Sequence, residues 1–425
     1  MEPLLFLAHR LPYPPNKGDK IRSYHFLKHL AQRYRVYLGT FIDDPSDWAH
    51  CEALKAMCAE VHVEGIVPWA QRARSVTGLL QGEALTLPYF RNSRLQRWVD
   101  ATVRRQNINR AFVFSSPMAQ YVEQLPQLQP VIDLVDMDSA KWIAYAGTVR
   151  WPASAIYGRE GRRLLAYERT VAARAAVVTL VTEEEAQILR REVPEYAGRI
   201  VAVGNGVDSD YFAPSRAFAS PYPPDVSAVV FTGAMDYWPN IDAVIWFARA
   251  VLPAVRLQHP QVRFYVAGMN PDSRVRSLGG DEAIVVTGRV DDIRPYLQHA
   301  KVVVAPLRVA RGLQNKVLEA MAMAKAIVVT TAAATGLEVV AGEHLEVADG
   351  ASDFSAKVTA LMNPARADPL GAQARARILL RYTWAASAAR LDAALAQAAP
   401  AQAAPAPQAS SPVTPAALHY ALPGK

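Results

Sequence analysis

The sequence predicts an α/β protein built as two doubly wound domains that face each other across a cleft. Three observations lead there. Short apolar runs alternate with helical patterns through both halves of the chain. The runs are continuous, as in Leu4-Leu5-Phe6-Leu7-Ala8, which is how strands covered on both faces read. The alternation breaks once, over residues 207–226, where Pro214, Pro221, Pro223 and Pro224 fall together, and then restarts. A chain of 425 residues has room for two or three domains at roughly 100–200 residues each.

In the first half the strands are predicted at residues 4–8, 36–41, 61–63, 111–114, 131–135 and 177–181, separated by helices at 20–32, 48–59, 91–105, 159–173 and 183–192. In the second half strands fall at 229–231, 262–266, 284–286, 302–305 and 327–330, with helices at 240–251, 293–300 and 313–324. The expected organisation is a Rossmann-like domain over 1–206, a linker over 207–226 and a second Rossmann-like domain over 227–372. A helical stretch over 373–397 would pack back toward the first domain. Residues 398–425 hold ten alanines and six prolines; they cannot bury a core and are expected to be disordered. Two such sheets imply a ligand cleft at the carboxyl ends of their strands.

Composition narrows the chemistry. Hydrophobic residues make up 51% and charged residues 20%, ordinary globular usage. No apolar run approaches the ~20 residues of a membrane span, and Met1-Glu2-Pro3-Leu4 does not start a signal peptide. Cys51 and Cys58 read as two small buried thiols on one helix, too far apart to bridge. A reduced, cytoplasmic compartment fits, with peripheral contact on the inner face of a membrane as an option. The net charge of +7 suits an anionic small molecule or an anionic membrane surface, and no nucleic-acid signature accompanies it. Residues 68–115 carry eight arginines against Glu83 and Asp100. Within them, Leu95, Trp98, Val99 and Thr102 form an apolar stripe, surrounded by Arg91, Arg94, Arg97, Arg104 and Arg105. Such a helix can lie on an anionic membrane or pack its stripe on the sheet.

The most informative segment runs from Ala305-Pro306-Leu307-Arg308 through Arg311-Gly312-Leu313-Gln314-Asn315-Lys316 to Glu319-Ala320-Met321-Ala322. A strand ends, a loop carries arginines, and Gly312 opens a helix whose free N–H groups make a site for a diphosphate. Arg308, Arg311 and Lys316 would add charge-assisted bonds. Glu319 can accept two hydroxyl hydrogen bonds, as a ribose diol offers.

This segment resembles the donor-binding motif of glycosyltransferase family 4, retaining enzymes of the glycosyltransferase-B fold. In the family two glutamates stand seven residues apart. Glu319 matches the second, which holds the donor's ribose, while Arg311 stands where the first, sugar-contacting glutamate usually is. The order is similar to a subgroup associated with exosortase (PEP-CTERM) and exopolysaccharide systems. The resemblance implies a nucleotide-diphosphate sugar as donor, a glycan or lipid-linked acceptor, no cofactor and no metal. It places Gly312, Leu313, Asn315 and Glu319 on the donor, and Arg308, Arg311 and Lys316 on the diphosphate as charge develops on the leaving group.

Further segments fit the same resemblance. Phe231-Thr232-Gly233 ends the first strand of the second domain, where Gly233 would approach the donor without a basic residue nearby. Thr287-Gly288-Arg289-Val290 lies where the family packs the nucleobase. Residues 8–22 form the loop after the first strand, with Gly18 at closest approach and Lys17, Lys20 and Arg22 giving a positive field toward the acceptor. Asp136 and Asp138, after the strand at 131–135, are candidates for orienting sugar or acceptor; Asp138 could instead cap the next helix. Gly204-Asn205-Gly206-Val207-Asp208 resembles the family's interdomain hinge.

The expected activity is retaining transfer of a hexosyl or related sugar, independent of metal. Two rivals remain. A nucleotide-sugar epimerase on the same scaffold would need more acid/base groups than His9 and Asp136 supply. A catalytically silent nucleotide-sugar-binding partner of a polysaccharide assembly complex would follow if Arg311 removed activity.

Overall fold

The computed structural model describes residues 1–15, 18–310 and 312–398. Lys17, Arg311 and the expected disordered tail, apart from Ala398, lie outside the described residues.

Seven parallel strands form the first sheet: β1 (Glu2–Ala8), β2 (Tyr34–Ile42), β3 (Glu60–Gly65), β4 (Arg110–Phe114), β5 (Gln129–Val135), β6 (Val177–Leu180) and β7 (Ile200–Ala202), in the order β3-β2-β1-β4-β5-β6-β7. The second sheet holds β8 (Ser227–Thr232), β9 (Val262–Ala267), β10 (Ile284–Gly288), β11 (Val302–Ala305), β12 (Ile327–Val329) and β13 (Glu346–Val347), in the order β10-β9-β8-β11-β12-β13. The central strands carry unbroken apolar runs because helices cover both faces. Leu4, Leu5, Phe6 and Leu7 are all fully buried, with Leu4 and Phe6 in the core on one side of the sheet and Leu5 and Leu7 in the core on the other.

The sequence pattern misses β7 and β13. They are three and two residues long, too short for a period to register, and short edge strands limit edge-to-edge pairing. The predicted helix over 48–59 is instead a 3-10 turn at Pro45–His50 and a short helix at Cys51–Lys55; both cysteines are buried and free.

The arginine-rich helix, Ser93–Gln106, starts where Asn92 accepts hydrogen bonds from the N–H groups of Arg94 and Leu95 and stops at Asn107 in the left-handed region. Its stripe packs on the sheet: Leu95, Val99, Thr102 and Val103 are buried. A Cβ on Gly39 of β2 would lie 2.9 Å from Trp98, so the glycine makes room for the indole. Trp98 donates to Glu60 at 2.6 Å and stacks on His62, while Arg91 and Arg105 pair with Glu83 and Glu60. This helix is therefore not the membrane-facing element the sequence allowed. No described helix is long and apolar enough to cross a membrane.

The final stretch is not one helix. Pro364–Arg381 packs in the second lobe and Trp384–Gln397 in the first. Between them the chain crosses the lobes beside the first crossing, with Val207 N–H bonded to Tyr382 O at 2.7 Å. Thr383 caps the new helix by accepting from Ala386 N–H. Gly206 is required at this double crossing, since a Cβ there would meet Trp384 N at 2.5 Å.

Candidate active site

The carboxyl ends of both sheets open on the interlobe cleft, where a cavity of about 480 Å³ lies between Pro15, Ile21 and His25 of the first lobe and Val290, Asn315 and Glu319 of the second. The crossing segments floor it with Asp208 and Trp384.

Its second-lobe wall begins with the helix Asn315–Ala322. Gln314 does not cap this helix; its amide donates to Gly312 O at 3.2 Å. Asn315, in the first turn, faces Gly18 across the cleft, where a Cβ on Gly18 would lie 4.0 Å from Asn315 Nδ2. The Asn315 Oδ1 is buried and has no hydrogen-bond partner among the described residues.

Lys316, the next residue, and Glu319, one turn on, sit together. Lys316 Nζ donates to Asn240 Oδ1 at 2.5 Å and lies over the Phe231 ring, 4.6 Å from its centre. Burial pushes the Lys316 ammonium down to about 7 despite nearby Glu319, and pushes the Glu319 carboxyl up to about 7 despite Lys316. Both ionised forms lack solvation, and an anionic ligand would supply the charge that Lys316 is missing.

Gly233 makes this arrangement possible. It has φ +150°, and a Cβ would fall 2.9 Å from Asn240 Nδ2 and 3.2 Å from Lys316 Nζ. Gly268, after β9, approaches so closely that a Cβ would lie 1.6 Å from Gly233 O. The loop after β8 has no basic residue of its own; Lys316 reaches it from the neighbouring helix.

Arg308 is a correction. It forms a bidentate pair with Asp242 on the Trp238–Trp246 helix, with Nε–Oδ2 2.9 Å, and lines a separate surface hollow. Asp242 offers its guanidinium a nearer carboxylate than any group in the cleft. Arg289 is exposed beside Val290, and only Val290 lines the cavity. Leu313 packs toward the hinge, 3.6 Å from where a Cβ on Gly204 would sit.

Two first-lobe cations are also corrected. Lys20 is buried against Asp47 at 2.6 Å. Arg22 is buried in a fork with Asp133, at 2.7 and 2.9 Å, and donates to Asn205 Oδ1 at 3.0 Å. Both are structural ties, because an unpaired charge at such depth would be costly. Neither charge is free to supply the positive field expected of that loop.

What the first lobe does present is acidic. Val135 has φ +70° and Asp136 N–H bonds back to Leu134 O at 2.9 Å. This strained γ-turn is rare for a β-branched residue. Ser115, at the end of neighbouring β4, has φ +80°. Strain at two adjacent strand ends is typical of a functional surface. The turn delivers Asp136, whose Oδ1 is buried without a hydrogen-bond partner among the described residues and lies 3.0 Å from the place of a Cβ on Gly312, itself at φ +64°. The two lobes thus meet here through a glycine and a carboxylate. Burial, with Glu185 and Asp138 nearby, pushes Asp136 up to about 6, against the pull of Lys141 and Arg22. Burial also raises Asp138, against Lys141 and His9. Asp138 is not a helix cap: Met137 occupies that position, and Glu168 accepts from Ser139 N–H at 3.1 Å.

His9 stacks on Phe114 and lies 3.4 Å from Asp19. Burial works against the Asp19 carboxylate, but His9 and Arg10 overcome it and hold the group below the usual range. Among the described residues no cluster of three or more His, Cys, Asp or Glu side chains is placed to hold a metal ion.

His25, Trp384 and Tyr211 line the cavity without having been named as site residues from the sequence, and Asp208, read there only as part of the hinge, joins them. His25 stacks on Trp384 at 4.2 Å, a pair no local pattern could join. Gly268 had a visible signal: a glycine directly after an apolar strand.

The two facing sheets define the class, a glycosyltransferase-B fold. Solved structures of this shape include sucrose-phosphate synthase from Thermosynechococcus elongatus, 18% identical over 93% of this chain and 99% of that one, with a TM-score of 0.68. Anabaena HepE in complex with UDP is 14% identical over 93% and 100%, TM-score 0.64. S. aureus TarM, in a mutant form with Fondaparinux, alpha-GlcNAc-glycerol and UDP, is 11% identical over 93% and 100%, TM-score 0.61. More particularly, residues 227–364, in the lobe bearing Lys316 and Glu319, match the model of the family described as Glycosyl transferases group 1. Among curated proteins none matches the chain. Fold and domain together support a glycosyltransferase.

Proposed function

We propose that the protein is a retaining, metal-independent glycosyltransferase that moves a hexosyl or related sugar from a nucleotide-diphosphate sugar to a glycan or lipid-linked acceptor. The observation that carries this reading is the uncapped start of the Asn315–Ala322 helix at the cavity wall, with Lys316 and Glu319 behind it. A diphosphate at that end takes backbone N–H groups, the positive end of the dipole and the Lys316 ammonium. Glu319 accepts from the ribose hydroxyls. The structures of HepE and TarM hold UDP, by their descriptions, and the same nucleotide suits this site.

In the proposed step the bond between the anomeric carbon and the phosphate oxygen breaks. The acceptor oxygen bonds the anomeric carbon on the same face, and its proton passes to the departing phosphate. No protein nucleophile is needed. Lys316 and the helix stabilise the charge on the leaving diphosphate, while Asp136 orients a hydroxyl of sugar or acceptor. Closure of the lobes excludes water. The sequence resemblance to the exosortase-associated subgroup supports a role in exopolysaccharide synthesis on the cytoplasmic side of a membrane.

The test is calorimetric titration with UDP, then turnover with UDP-, GDP- and TDP-sugars. Glu319→Ala is expected to weaken UDP binding and abolish turnover. UDP binding unchanged in both Glu319→Ala and Lys316→Ala would overturn the site. Saturable binding of every donor without turnover, acceptor lipid included, would favour the silent partner.

A further inference from the structure

We propose that one corner of the first lobe, formed by residues 67–82 and 143–163, docks on an anionic lipid bilayer, and that a groove within it seats the hydrocarbon chain of a lipid-linked acceptor. The inference rests on the transferase reading for the word acceptor and deepens it by choosing lipid over soluble glycan.

The two segments abut. Arg159 donates to Gly78 O at 3.0 Å and Glu83 O at 3.1 Å. The buried Glu160 carboxylate accepts from Leu85 N–H at 2.6 Å and from Thr86 N–H at 3.0 Å. Of the 19 large hydrophobic residues exposed in the described chain, nine fall in these two segments. Trp69, Leu80 and Trp151 lead them, at 75%, 90% and 81% exposure. An apolar face this concentrated is uncommon on a monomer unless something covers it.

Charge says what covers it. Residues 67–82 contain no acid, and the only acid in 143–163 is Glu160, already buried and bonded. Arg72, Arg74, Arg150, Arg162 and Arg163 are exposed around the apolar residues. Tryptophan and leucine at the tip with arginines behind, unopposed by carboxylates, match the interface of an anionic leaflet.

Inside the corner lies a groove of about 260 Å³, lined by Leu85, Tyr89, Phe90, Trp142, Ile156 and Tyr157. Its single acid, Glu160, is satisfied by backbone, so the groove asks for hydrocarbon. Phe90, a wall of the groove, meets His9 edge-on at 5.8 Å, and His9 lies 3.4 Å from Asp19. A chain in the groove would bring its polar head to the acidic side of the cleft.

The test uses the full chain and vesicles of phosphatidylcholine and phosphatidylglycerol, 7:3 by mole, in co-sedimentation without donor. Binding is expected, at least tenfold weaker to phosphatidylcholine alone. The Trp69→Glu/Leu80→Glu/Trp151→Glu variant, altered only at exposed positions, is expected to lose at least tenfold. Dodecyl phosphate should saturably change tryptophan fluorescence, and Tyr89→Glu, in the groove but outside the two docking segments, should block that while keeping vesicle binding within twofold. Wild-type protein left in the supernatant, a triple variant that sediments equally, or a dimer that the triple variant dissociates would each overturn the bilayer surface. Absence of dodecyl phosphate binding would overturn the groove. UDP titration without lipid separates the readings, since intact UDP binding with no vesicle binding removes this proposal alone.

Discussion

The two lobes share an architecture and differ in what they do with charge at the cleft. Among the described residues, the second lobe holds Lys316 over glycine backbone and leaves it undersolvated beside Glu319, which lines the cavity. The first lobe carries a run of cations in the matching loop, yet Lys20 and Arg22 are buried against Asp47 and Asp133, and acids reach the cleft instead. The number of charges near a strand end therefore does not set the field there. What sets it is whether each charge already has a partner.

The comparison breaks most readily at Arg22. Arg22→Ala leaves Asp133 buried and uncompensated and should cost about 3–5 kcal/mol of stability, read by denaturant unfolding. A stable Arg22→Ala protein that had lost UDP binding would show the charge to be functional after all.

Lys316→Ala predicts the converse. It should weaken UDP binding by about 1.5–3 kcal/mol, roughly 10- to 100-fold, with an unchanged or higher melting temperature, because the ammonium is poorly solvated. In wild type, UDP binding should pass through a maximum near pH 7. Lys316 loses its proton above about 7 and Glu319 gains one below about 7. Glu319→Gln should remove the acid limb.

Gly233→Ala sharpens the contrast, since it adds no charge. Its Cβ would push on Asn240 and Lys316, and UDP binding should fall roughly tenfold, about 1.4 kcal/mol. The same substitution at Gly279, where a Cβ meets nothing, should leave binding unchanged.

The smallest effect belongs to the seam between the lobes. Burial and Lys28 push His25 down to about 4, against Asp208. Its ordinary value is about 6.5. Between those values the unfolded chain binds the extra proton, so this contribution to stability is complete above pH 6.5 and is lost as pH falls toward 4. The melting temperature of His25→Phe should depend less on pH than wild type by a few degrees across that window.

By itself, the sequence determined the elements whose cause is local. Continuous apolar runs such as those of β1 and β11 mark strands covered on both faces, the proline cluster marks the change of lobe, and Gly312 with Lys316 and Glu319 lies within one loop and helix, so spacing alone brings them together. Tertiary structure decided what depends on distant partners. Arg22 meets Asp133 and Arg308 meets Asp242 across 111 and 66 positions, and His25 finds Trp384 only because the chain returns to the first lobe. Periodicity records which side of an element is buried; it carries no information about which buried group waits there, and that choice turned an expected basic face into an acidic one.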